Sequence, residues 1–206
     1  MLVGRKQMTV RASIVALTFT VLTGCTINHP YPKSWAPIPA PTTEDCHHLE
    51  GDYNDRGDYF GLSDPANGPS LTYKLFRGDS HWGSATRVSL ALPRSDALTV
   101  TVWHGSTQLF ARTLSSEKGD FRCEAGHLIV RDHRWFGGTM VEGFEKLTIT
   151  LSVTDDYLVA EDKRFSTALA MIILPVIVTE TNWYRFPRLR DQERSEVTFL
   201  RSASKV

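Results

Sequence analysis

Apolar and polar residues alternate in short runs along most of this chain. The run Leu71-Thr-Tyr-Lys-Leu-Phe76 is one example. A second, Ala85-Thr-Arg-Val-Ser-Leu-Ala-Leu92, places Val88, Leu90 and Leu92 on one face, and residues 97–103 do the same with Leu98, Val100 and Val102. Further runs cover residues 49–54, 107–112, 126–131, 146–153, 157–162 and 181–186. A period of two is the spacing of a half-buried strand, and β-branched residues fill these runs. Turn-forming groups separate them, such as His104-Gly105-Ser106 and Thr154-Asp155-Asp156. Short connections between strands make antiparallel neighbours. The pattern therefore predicts an all-β fold, an antiparallel meander that closes into an up-and-down barrel or packs as a β-sandwich.

Two stretches depart from that alternation. The chain opens with Arg5, Lys6 and Arg11 and no acid, followed by an apolar run of about a dozen residues ending in small residues. That is the layout of a signal peptide, and the run is shorter than the ~20 apolar residues a spanning helix needs. The second stretch is Ala168-Leu-Ala-Met-Ile-Ile-Leu-Pro-Val-Ile-Val178. It too is short for a spanning helix, and Pro175 disfavours a central strand through its whole length. Three placements stay open for residues 168–178: a hairpin or strand buried on both faces and bent at Pro175, a plug at one end of a barrel, or an exposed patch that meets lipid or a partner protein.

The apolar run of residues 12–24 ends in Leu22-Thr23-Gly24-Cys25. This resembles the lipobox of bacterial lipoproteins. The resemblance implies a signal peptide over residues 1–24, cleavage before Cys25 and attachment of acyl chains to Cys25. Two or more chains anchor firmly where one is marginal. Thr26 stands where an Asp would favour retention in the inner membrane. The implied address is thus the outer membrane of a Gram-negative cell envelope, facing the periplasm or the cell surface.

Prolines at 30, 32, 37, 39 and 41 follow the cysteine. They fix their own φ and lack an amide donor, so residues 25–45 are expected as an extended, semi-rigid tether reaching at most roughly 60 Å. Tyr31 and Trp35 suit either the lipid interface or the face of the domain. The remaining 46–206 has the size of one β domain.

Charge narrows the function. The whole chain has 23 basic and 23 acidic residues, and the leader removes three of the basic ones. The rest is slightly acidic, which gives no footprint for nucleic acid. Cys46 and Cys123 remain beside Cys25. An exported domain permits disulfides, and two cysteines have a single pairing. The 46–123 bond is expected, with two separate buried thiols as the alternative.

His47 and His48 adjoin Cys46, but no recurrent zinc spacing is present. Nor is there a G-x-S-x-G, an H-E-x-x-H or a phosphate loop. No catalytic residue, cofactor or metal is assigned. Arg131-Asp-His-Arg-Trp-Phe-Gly-Gly138 and Trp183-Tyr-Arg185 gather polar and aromatic groups, and the first is expected to end a strand with Trp135 or Phe136 covering the core rim. Gly51-Asp-Tyr53 resembles the Gly-x-Trp of lipocalins, with Tyr in place of Trp. The resulting expectation is a non-enzymatic, membrane-anchored binding or envelope-support module. The alternative is a lipocalin-like carrier of a small apolar ligand.

Overall fold

Strands form in every alternating run except residues 71–76, and several extend far beyond the alternation. A computed structural model describes residues 24–41, 43–59, 68–76, 83–137, 141–170 and 174–190. The expected signal peptide, with Leu22 and Thr23 of the lipobox, lies outside the described residues apart from Gly24. Eleven strands build one sheet. They are β1 (Cys25–Asn28), β2 (Gly51–Asn54), β3 (Asp58–Tyr59), β4 (Arg87–Arg94), β5 (Ala97–His104), β6 (Thr107–Ser115), β7 (Phe121–Glu124), β8 (His127–Gly137), β9 (Val141–Val153), β10 (Tyr157–Ala170) and β11 (Leu174–Leu189). A short helix, α1 (Leu71–Leu75), is the one α-helix among the described residues.

The strand order is β6-β5-β4-β2-β11-β10-β9-β8-β7, antiparallel throughout. This is the expected all-β meander, joined at its middle by the chain's first and last segments. The second edge of β11 is shared by three short strands. β1 pairs in parallel with Val178–Thr181, β3 pairs at Tyr184 and Arg185, and β2 pairs at Arg188 and Leu189.

Closure into a barrel does not occur: the ladder ends at β6 and β7. The sheet instead curls around one core. Val88, Leu90, Leu98 and Val100 from one half join Leu128, Ile149, Leu151, Leu158 and Phe186 from the other. α1 stands where a ladder would have closed the gap. Leu75 and Phe76 line a cleft of about 130 Å³ together with Leu114 of β6 and Val130 of β8. Phe76 also meets Phe110 edge-on at 5.3 Å between ring centres.

Residues 71–75 were expected as a strand and form α1 instead. In so short a run, apolar residues at positions one and five fit a helix as well as a strand. Ser70 decides between them, because its hydroxyl accepts from the Tyr73 amide as an N-cap. Asp55 adds a carboxylate oxygen that accepts from the Thr72 amide at 2.8 Å.

The disulfide joins Cys46 to Cys123, with 5.9 Å between Cα atoms. It ties the turn at His47–Leu49 to the end strand β7. The proline-rich segment turns at Pro32–Trp35, where the Trp35 amide donates to the Pro32 carbonyl, and lies against the domain rather than away from it. Trp35 is buried, and Tyr31 meets both Trp35 and Trp183 edge-on. Arg185 lies over the Trp35 ring, and the Trp183 indole donates to the His29 carbonyl. Further along, Pro41 packs on Gly126, where φ is +73° and a Cβ would stand 2.3 Å from the Pro41 ring. Prolines need no ladder partners, so the segment fits as a strap along the surface.

Candidate functional site at the apolar end of the sheet

Beyond the core, β8 to β11 continue as two adjoining hairpins. Their register sets residues in transverse rows. One row runs from Arg134 through Glu145, Ser166 and Val178 to Cys25. The next row outward is Trp135, Phe144, Thr167 and Ile177. Beyond it come Phe136, Gly143, Ala168 and Val176, and then Glu142, Leu169 and Pro175.

The 168–178 stretch is thus the end of the β10–β11 hairpin, well away from the core. Leu169 is 50% exposed and Val176 41%. Of the three placements open from sequence, the hairpin is present but is not buried on both faces. Met171, Ile172 and Ile173 lie outside the described residues. Trp135 does not cover the core rim, as was expected; it is 80% exposed on the outer face and meets Phe144 at 5.6 Å. Gly143 has a specific reason to be glycine, since a Cβ would stand 2.4 Å from the Thr167 carbonyl and 2.7 Å from the Phe136 ring.

Cys25 is exposed and unpaired by disulfide at the first position of β1. Its Cα is in register with Val178. Because β1 is parallel to β11, Gly24 lies against Ile177, one position nearer the start of β11.

Between the apolar end and the core, the inner face of the sheet is polar. Glu145 is buried and accepts from Arg134 Nε at 2.6 Å and pairs with Arg164 Nε at 3.1 Å. Arg164 also reaches Glu180 at 3.7 Å, and Glu180 accepts from Asn182. Tyr59 donates to Asn182 and stacks on Tyr184. Lys74 of α1 meets Asp162 at 2.8 Å and lies 3.8 Å above the Tyr184 ring. Burial pushes the Tyr184 phenol well above its ordinary value, and the nearby Asp162 charge adds to this. Charges of opposite sign satisfy each other here, as buried charges must.

One pairing that could suggest catalysis escaped the sequence: Ser152 Oγ is 2.8 Å from His127 Nδ1. The two lie on neighbouring strands, so no linear motif marks them. Ser152 is only 5% exposed, and the cleft beside it, about 140 Å³, is walled by Pro39 and Pro41 of the strap. A serine covered in this way does not reach a substrate carbonyl. Trp183 and Arg185 serve the strap, and Arg185 also binds Asp58 at 2.8 Å. Among the described residues no three of His, Cys, Asp and Glu group as metal ligands, and no helix is long and apolar enough to cross a membrane. Comparison with protein-family models, with curated proteins and with solved structures finds no match.

Proposed function

We propose that this protein is a lipoprotein anchored to the outer membrane by acyl chains on Cys25, working there as a non-enzymatic binding or envelope-support module. The observation that carries the reading is the placement of Cys25. The residue that ends the lipobox is exposed, and it stands level with the base of an apolar hairpin end. A cysteine in the leader of an ordinary secreted protein has no reason to enter the sheet of the mature domain. Thr26 in place of an Asp favours the outer membrane over the inner.

With the strap docked, the anchor holds the domain close to the bilayer and in a set orientation. A free tether would let it stand off and turn. The carrier reading has less behind it. The core is filled by side chains, and three clefts among the described residues measure about 130, 140 and 250 Å³. The widest of these lies under the strap, between Trp35 and Tyr157. An apolar ligand of ordinary size needs about 300 Å³ or more.

Mass spectrometry of the N-terminal peptide, from protein expressed with its leader in a Gram-negative host, tests the anchor. The expected species starts at Cys25 and carries acyl mass, and Cys25→Ser abolishes it. A free thiol at position 25 in the mature protein refutes the proposal.

A further inference from the structure

We infer that the β10–β11 hairpin end is a second membrane contact, which enters the same lipid leaflet as the acyl chains on Cys25. This deepens the anchor reading and rests on it for the direction of the membrane.

At the level of Cys25 the sheet is charged, with Arg134 and Glu145 on the inner face. One row inward toward the core, exposed His133 and Lys146 stand on the outer face beside Phe165, and Arg131 and Lys163, the latter paired with Glu161, follow two rows further in. One row outward of Cys25 come Trp135 and Phe144. Outward of those come Ala168, Leu169 and Val176. Charged, then aromatic, then aliphatic is the order in which headgroups, interface and hydrocarbon follow one another in a leaflet. The exposed basic residues lie where anionic lipid headgroups would be.

The depth is consistent with a single leaflet. Leu174 lies four positions beyond Val178 on β11, about 14 Å at ~3.4 Å per residue. Half the hydrocarbon core is about 15 Å. The hairpin therefore cannot span, and two features keep it shallower still. Among the described residues no strand pairs the outer edge of β11 at 174–177, and unpaired backbone is unfavourable in hydrocarbon. Glu142 faces Leu169 across the ladder and holds the β8–β9 hairpin nearer the headgroups. The occupant is a lipid surface rather than a protein because the anchor already fixes this end of the sheet at the bilayer.

The test uses the full chain, expressed with its leader and reconstituted in vesicles of phosphatidylethanolamine and phosphatidylglycerol. An environment-sensitive fluorophore is attached to Leu169→Cys, to Val176→Cys, and to Asp155→Cys in the β9–β10 turn at the opposite end. Labels at 169 and 176 are expected to shift to the blue, lose quenching by aqueous iodide and be quenched by brominated acyl chains. The label at 155 stays open to iodide. Iodide access at 169 equal to that at 155, on vesicle-bound protein, overturns the inference. So does a label shielded from iodide but untouched by brominated lipid, which means a protein partner or a second copy covers the hairpin. Mass spectrometry of the same sample keeps the two proposals apart. If Cys25 carries no acyl chain, the anchor fails by itself. The hairpin contact then stands if the label at 169 still enters lipid, and falls if it does not.

Discussion

Replacing Lys74 by Met removes one half of a buried ion pair and leaves the other half in place. Lys74 Nζ is 2.8 Å from Asp162, and the two side chains are 9% and 1% exposed. The ammonium also sits over the Tyr184 ring. With Lys74 gone, the Asp162 carboxylate stays in a site that water scarcely reaches. Breaking a buried pair from one side costs about 3–5 kcal/mol. A domain of this size is stable by about 5–15 kcal/mol, so the loss is a large fraction of the total. With a urea m-value of about 2 kcal/mol/M, the midpoint should fall by about 1.5–2.5 M. The double variant Lys74→Met with Asp162→Leu removes both charges and replaces them with apolar volume. It should recover most of the loss, because an apolar pair of similar size is often no worse than a buried ion pair. Urea unfolding followed by tryptophan fluorescence reads all three proteins. A single variant within 1 kcal/mol of the parent, or a double variant as weak as the single, would show that α1 is not held to β10 by this pair.

Two further outcomes follow from the same structure. Reducing the Cys46–Cys123 bond, or replacing both residues by Ala, frees a loop with a sequence separation of 77. On the chain-entropy estimate it should lower stability by about 4.5 kcal/mol, and a urea midpoint unchanged by reductant would contradict this. Tyr53 is fully buried, and burial pushes its phenol up to about 12, with Arg188 pulling it back somewhat. The neutral form is favoured in the folded state. Stability is therefore flat below the unfolded value near 10 and falls by about 3 kcal/mol as pH rises toward 12. An ultraviolet titration in which Tyr53 ionises with the unfolded chain, and not before, checks the sign. Loss of stability beginning well below pH 10 would need another cause.

The alternating runs at 85–92 and 97–103 state their own burial: Val88, Leu90, Leu98, Val100 and Val102 are where the period puts them. A strand half covered by a core must carry one apolar face, and that requirement is written locally. The outer halves of β8 to β11 carried no such mark. There both faces meet solvent or charge, so Arg131-Asp-His-Arg-Trp-Phe-Gly-Gly138 is legible as the end of a strand, but its ladder with β9 and the exposed outer-face position of Trp135 are not. Helix α1 fits a strand pattern as well, because five residues do not separate two periods, and a serine cap with Asp55 from elsewhere in the chain makes the choice.

The sequence by itself determined the all-β class and the presence of two apolar stretches too short to span, and it gave the Cys46–Cys123 pairing only with Cys25 set aside. It could not say that Cys25, which follows the first stretch, lies beside the second. Cys25 and Val178 are far apart in the chain, and only the parallel pairing of β1 with β11 makes them neighbours. The ion pairs among Arg134, Glu145, Arg164 and Glu180, and the docking of the proline strap on Trp183 and Arg185, depend likewise on register between distant strands. Local pattern fixes which face of a strand is apolar. For the strands that cover the core, which ones lie side by side, and at what offset, is settled by the apolar face they share.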